Sequence, residues 1–264
     1  MEHNEKGVCR LSIVPVRSQH SDKSELVTQL LFGDHYSILK KSKDNRWVKI
    51  RVHFDDYEGW ISLKQHHQIS NEYFDQINHS DYKISTDLSS TILFKKHPIN
   101  ILIGSILPIS TNELFKVEEH LAFNGESKSL SQKRDFEYLK GVAKKFLNAP
   151  YLWGGKTPFG IDCSGFTQQV FKICGYKLKR DSGMQAEQGI AVENFDDQEP
   201  GDLAFFANDE MKVNHVGIIL DEQKVIHASG FVRIDMIDKE GIFNEELNSY
   251  SHRLFSIRRI LKSG

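Results

Sequence analysis

Residues 151–166, YLWGGKTPFGIDCSGF, hold two groups capable of chemistry. Gly154, Gly155, Lys156 and Thr157 have the order in which a phosphate-cradling loop ends, with glycine amides and a lysine around the phosphates. Cys163 is a thiol at the expected start of a helix. Counting separates the two. The phosphate loop needs a glycine five places before its last glycine, and that place is Pro150. No apolar strand leads into the segment either, so the glycines are expected to shape a tight turn beside a cleft.

A lone cysteine is usually a small buried apolar group. Around Cys163 the pattern points further. Phe166, Val170, Ile173 and Cys174 recur at helical spacing just after it, so its sulfur falls at the helix amino terminus. Unpaired amides and the helix dipole there favour thiolate, and the expectation is a pKa below the roughly 8.5 of a free thiol. Cys174 lies on the stripe and reads as core.

A thiol nucleophile needs a base. Of the twelve histidines, His215 opens the run HVGIIL and His227 lies in KVIHAS, with Asp221, Glu222 and Gln223 as the hairpin loop between them. A three-residue loop keeps the parity that turns both rings to one sheet face, within reach of each other. His3, His20, His66, His67 and His79 sit in polar surroundings and read as solvated surface. His120 and His252 have no identifiable partner, and no histidine or cysteine spacing recommends a metal.

These side chains need elements to hold them. Helical periodicity over Phe136, Leu139, Val142, Ala143, Phe146 and Leu147 precedes the quoted stretch. A helix from Cys163 to Cys174, closed by Gly175, follows it, and then come strands DLAFFA, HVGIIL and KVIHAS, an α+β order. From Val8 to about Gln65 the runs LSIVPV, HYSILK, WVKIRV and GWISL suit a small β-barrel. Residues 82–125, with TILF, NILIGSILPI, LFKVEE and the turn FNGES, read as a second. The expected division is 1–75, 76–130 and 131–264.

The 264 residues are 39% hydrophobic and carry a net charge of −2 with both signs interspersed, which argues against nucleic-acid partners. The start, MEHNEKGVCRLSIV, lacks the features of a secretion signal, so a cytoplasmic location is expected. The longest apolar run, Ile99 to Ile109, is too short and too interrupted to span a bilayer and reads as a buried strand. Three cysteines without a Cys-x-x-Cys pair suit free thiols in a reducing compartment. Oligomeric state is not legible.

Taken together in order, YLWGGKTPFGIDCSGF, RDSGMQ, PGDLAFF, NHVGIIL and VIHAS resemble the NlpC family of papain-like bacterial cell-wall cysteine peptidases, over about Leu139 to Ile260. The resemblance implies a papain-like α+β catalytic domain with Cys163 as nucleophile, His215 as general base and His227 orienting it. It places Tyr151 beside the nucleophile, puts Asp162, Ser164, Asp181 and Ser182 along the substrate groove, and requires no metal or cofactor. Asp162 or Ser164, and Asp181 or Ser182, are also candidates to cap helices. Upstream, RSQHSDKSELVTQLLFGD and WVKIRVHFDDYEGWISL resemble the bacterial SH3-like barrel of the branch that cuts γ-D-glutamyl-diamino-acid bonds of murein peptides. ILIGSILP and FNGES are similar to a second such barrel. In that branch the first barrel reads the free amine of an amino-terminal L-Ala, and Glu25 and Tyr57 are the matching residues. Two alternatives stand beside this. One is a wall-binding protein with a scaffold domain, against which the intact Cys163, His215 and His227 argue; the other is an endopeptidase, amidase or acyltransferase on another substrate.

Overall fold

The computed structural model describes residues 5–110, 122–244 and 248–261. His3, His120 and the LFKVEE run lie outside them. The chain divides into two compact units, Met1–Gln132 and Lys133–Gly264.

In the first unit, seven antiparallel strands lie in the order Leu26–Leu31, Ile13–Arg17, Glu58–Ser62, Trp47–Val52, His35–Lys41, Lys6–Val8 and Gln68–Ile69. Alternating apolar side chains, among them Val14, Val16, Tyr36, Ile38, Val48, Ile50 and Ile61, form one buried cluster. The boundary expected near residue 75 falls within the helix Asn71–His79. Beyond it come two three-stranded sheets. Their core of Ile92, Ile101 and Leu107 takes in Phe32, which follows the strand Leu26–Leu31 of the first sheet. The two β-regions therefore share a core. The run from Ile99 to Ile109 is two strands, His97–Leu102 and Ile106–Ser110, and not one. Gly104 turns the chain between them with φ +87°, a conformation open to glycine. His66 is not solvated surface: it lies beside the Tyr36 hydroxyl at 3.1 Å and the Glu5 carboxylate at 3.1 Å, with its side chain 6% exposed.

The second unit opens with the helix Phe136–Lys145, capped by the Asp135 carboxylate accepting from the Tyr138 amide at 3.0 Å. Its buried Leu139, Val142 and Ala143 form one face, and Phe146 meets Phe166 of the next helix edge to face. The helix Cys163–Ile173 packs across the strands Val213–Leu220 and Lys224–Ser229, and all eleven of its residues are buried. The sheet order is Ile190–Val192, Ser249–Arg259, Leu203–Ala207, Val213–Leu220, Lys224–Ser229, Phe231–Ile237 and Gly241–Asn244. Because Gly241–Asn244 also pairs with Ser249–Arg259, six of these strands close into a small barrel. Ala204, Phe206, Ile219, Val225, Ile237, Ile242 and Ile257 fill it.

Candidate active site

The glycine-rich turn serves the thiol. Asp162 occupies the N-cap of the helix Cys163–Ile173, its Oδ1 accepting from the Gly165 amide at 2.6 Å, while its Oδ2 accepts from the Gly154 amide at 2.8 Å. A Cβ on Gly165 would lie 2.3 Å from the Gly155 carbonyl oxygen, so only glycine lets the turn close onto the helix start. Arg180, 1% exposed, completes the arrangement from the side: its guanidinium donates to Asp162 Oδ1 at 3.0 Å, to Oδ2 at 2.5 Å and to Ser164 Oγ at 2.9 Å. Asp162 and Ser164 were expected in the substrate groove. Within the protein their side chains hold the first turn of the helix that carries Cys163, with Asp162 as its cap. Gln185 supports the same turn, its Nε2 donating to the Ser164 carbonyl at 3.0 Å and its Oε1 accepting from Thr167 Oγ1 at 2.7 Å. Asp181 is the N-cap residue of the short helix Ser182–Gln185, without a side-chain capping bond, and both Asp181 and Ser182 are half-buried.

Cys163 is the first residue of its helix and 6% exposed. The amides of Val216 and Ser164 reach its sulfur, which brings the thiol against the strand that carries His215. Burial pushes this thiol up to about 12, the Asp162 charge adds to the rise, and the two amides and Arg180 oppose it without prevailing. The expected low pKa is thus overturned, because a helix terminus sealed from water loses more by desolvating a thiolate than it gains from the dipole.

His215 and His227 come together by register. Gly217 pairs with His227 across the three-residue loop, so His215, two places earlier, lies diagonal to His227 on the same face. A Cβ on Gly217 would meet His227 Cβ at 3.0 Å, so glycine makes the room. His215 Nε2 and His227 Nδ1 are 2.7 Å apart, and His227 Nε2 lies 2.8 Å from Asp235 Oδ2. Arg233 donates to Asp235 Oδ1 at 2.7 Å. His215 pairs directly with Phe206, so this polar chain lies at one end of the apolar barrel interior. Burial there, with the neighbouring His227 and His252, drives His215 well below the ordinary imidazole value. Thiol and imidazole are therefore both neutral at rest. Among the described residues nothing bonds to His215 Nδ1.

His252, for which the sequence offered no partner, stacks on His215 with ring centroids 4.1 Å apart at 26°. Burial lowers it to about 4. Asp235, Arg233, Arg180 and His252 are the residues of this site that sequence reasoning missed. The ligand atoms of His215, His227 and His252 lie within 4.8 Å of one another, which is close enough to raise a metal. The 2.7 Å between His215 and His227 argues against one: two nitrogens on a tetrahedral zinc at about 2.05 Å stand about 3.3 Å apart. Their spacing is that of donor and acceptor.

Tyr151 is half-buried, and burial above all, with nearby Cys163 and Asp162 adding to the rise, lifts its phenol to about 12, so it stays a neutral hydroxyl. Glu25 and Tyr57 belong to the first unit. Arg17 pairs with both Leu26 and Trp60, so Glu25 and Tyr57 precede two strands that start at the same rim of the sheet. Glu25 is exposed there and Tyr57 half-buried.

A profile of the NlpC/P60 family matches residues 148–250, and one described as the bacterial dipeptidyl-peptidase SH3 domain matches residues 16–65. The chain is 30% identical over 236 residues to the gamma-D-glutamyl-L-lysine dipeptidyl-peptidase of Bacillus cereus (strain ATCC 10987), an alignment covering 79% of this chain and 68% of that one. It is likewise 30% identical over 220 residues to the protein of that name from Bacillus subtilis (strain 168), covering 76% and 71%. Among solved structures, an NlpC/P60 family protein from Bacillus cereus ATCC 10987 superposes with a TM-score of 0.80 over 96% of this chain and 99% of that one. At 22% identity that likeness speaks to the fold: a small SH3-like β-region followed by an α+β domain.

Proposed function

Because the chain belongs to the NlpC/P60 family of cysteine peptidases, we propose that it hydrolyses the γ-D-glutamyl-diamino-acid bond of murein peptides with a free amino-terminal L-Ala, releasing L-Ala-D-Glu, and serves in the recycling of such peptides. The observation that carries the reading is a buried helix-start thiol whose sulfur is reached by the amide of Val216, the residue after His215, together with the bonded chain His215, His227 and Asp235. The names of the two Bacillus relatives supply the bond. In the acylation step the Cys163 sulfur attacks the γ-carbonyl carbon as its proton passes to His215 Nδ1, and the carbonyl oxygen takes up the displaced electron pair. The Cys163 amide, at the first turn of its helix, would hold that oxygen. Collapse breaks the carbon–nitrogen bond, and His215 gives its proton to the departing amine. Water then attacks the thioester, losing a proton to His215, which returns it to sulfur. A neutral resting pair suits this sequence, because the proton transfers only as the sulfur bonds to carbon.

In this proposal Glu25 and Tyr57 accept hydrogen bonds from the substrate's ammonium, as a carboxylate and a phenol can. The test compares free and N-acetylated L-Ala-γ-D-Glu-L-Lys by mass spectrometry. Wild type is expected to release L-Ala-D-Glu from the free peptide with strong preference. Cys163→Ala should abolish turnover while circular dichroism stays native, and Glu25→Ala should erode the preference by on the order of 1.5–3 kcal/mol, the worth of a charge-assisted bond. Equal cleavage of both peptides by wild type would return the barrel to a wall-anchoring role, and turnover by folded Cys163→Ala would end the thiol mechanism.

A further inference from the structure

The position of one proton decides whether His215 can act as a base. Its Nε2 faces His227, so its Nδ1 must carry the lone pair, and a neutral imidazole holds its proton on only one nitrogen. We propose that Asp235 is the positioning residue that sets this tautomer from two rings away, through His227, with Arg233 fixing which of its oxygens does so.

The bonds run inward from Arg233. Arg233 can only donate, and it takes Asp235 Oδ1 at 2.7 Å. Asp235 Oδ2 is then turned to His227 Nε2 at 2.8 Å. Burial alone would raise this carboxyl, but the bonds from His227 and Arg233 outweigh it and hold Asp235 below the usual carboxylate range. An ionised carboxylate accepts and never donates, so the proton of His227 sits on Nε2. With one proton on each ring, which is the resting chain proposed, His227 presents a lone pair at Nδ1 and the proton across the 2.7 Å gap belongs to His215 Nε2. The lone pair of His215 is left on Nδ1, the nitrogen free to take the thiol proton. Three strands supply the chain, and their register holds it: His227 pairs with Arg233, Val225 with Asp235, and Gly217 with His227. The side chain of Asp235 is 12% exposed and that of His227 1%, so little water is at hand to stand in for either.

This has an unusual consequence for substitution. In Asp235→Asn, Arg233 keeps the amide oxygen and thereby turns the amide nitrogen, a donor, to His227 Nε2. The proton of His227 must move to Nδ1, and that of His215 to its own Nδ1, where it blocks the base. The isosteric change should therefore be worse than truncation, because Asp235→Ala leaves space for a water that can still accept. A role in packing alone orders the two the other way.

The inference rests on Cys163 and His215 being the reacting pair, and the test separates the two ideas. Turnover of L-Ala-γ-D-Glu-L-Lys is measured for wild type, Asp235→Asn, Asp235→Ala, Asp235→Glu, the double variant Asp235→Asn with Arg233→Met, and Cys163→Ala as control. Asp235→Asn should lower kcat by on the order of 10²–10⁴-fold with KM within about threefold. Asp235→Ala should lose less, Asp235→Glu should keep more than either, and Arg233→Met should restore part of the loss in the Asn background by letting the amide turn over. Imidazole ¹⁵N shifts provide a readout that needs no substrate: His215 should carry its proton on Nε2 in wild type and on Nδ1 in Asp235→Asn. An unchanged His215 tautomer in Asp235→Asn, or an Ala variant at least as impaired as the Asn variant, would overturn the proposal. Turnover surviving in Cys163→Ala would instead count against the thiol reading and leave the tautomer measurement to decide the role of Asp235.

Discussion

Replacing Arg180 by methionine isolates the support under the nucleophile. The guanidinium is 1% exposed, and its bonds include two to Asp162 and one to Ser164, while Asp162 is itself 6% exposed. Methionine fills much of the same volume but removes the charge, so the Asp162 carboxylate remains in a dry site with only the Gly154 and Gly165 amides and the Ser164 hydroxyl. Removing one partner of a buried pair costs about 3–5 kcal/mol, chiefly because the other charge is stranded. For a unit of this size that corresponds to a fall in Tm of on the order of 10 °C or more. Adding Asp162→Asn should recover part of the loss: the stranded charge is gone, and asparagine still caps a helix. Urea and thermal denaturation of wild type, the single variants and the double variant, followed by circular dichroism, give the coupling directly. A single Arg180→Met variant within about 1 kcal/mol of wild type, or a double variant no more stable than Arg180→Met, would refute the reasoning that the pair is a stranded-charge problem and not a packing contact.

Two further outcomes follow from the shifted groups. Burial holds His215 well below 6.5, lowers His35 and His252 to about 4 each, and lowers His66 as well, so their contribution to stability is complete above pH 6.5 and is lost as pH falls below it. The urea midpoint should drop between pH 7 and 5, above the range where the lowered carboxylates titrate; a flat midpoint there would contradict the assigned burial, as would an acid limb of kcat/KM lying above 6.5. With its thiol raised to about 12 by burial, Cys163 should be labelled by iodoacetamide with a midpoint above the roughly 8.5 of a free thiol, and a midpoint below that would restore the dipole as the dominant effect.

How far the site was legible depended on whether its parts are linked by local counting. The helix start at Cys163 and the shared face of His215 and His227 were both matters of spacing, 3.6 in one case and 2 in the other, and the structure has both arrangements. Arg180 was out of reach in this way, because the helix Cys163–Ile173 and the loop after it separate it from Asp162 and nothing periodic ties the two. The apolar run from Ile99 to Ile109 misled for a different reason: hydrophobicity is continuous through a turn when both strands feed the same core, and only Gly104 marks the break.

Asp235 and His252 show where counting stops. The parity that pairs His215 with His227 across three residues extends to the next hairpin, whose connection is the single residue Gly230, at φ +71°. His227 and Arg233 are equally distant from it, so Arg233 and, two places on, Asp235 share the histidine face; the run FVRIDMI invites the contrary reading that its polar residues face water. His252 admits no such count. It reaches His215 only because Ser249–Arg259 closes the barrel, and that strand slips register against both of its neighbours in the barrel wall, between Ile242 and Phe243 on one side and between Phe205 and Phe206 on the other. Each slip reverses the parity on which a sequence argument depends. The residues that tune this site are thus those contributed by barrel closure, and closure is a property of six strands together that no single stretch of sequence carries.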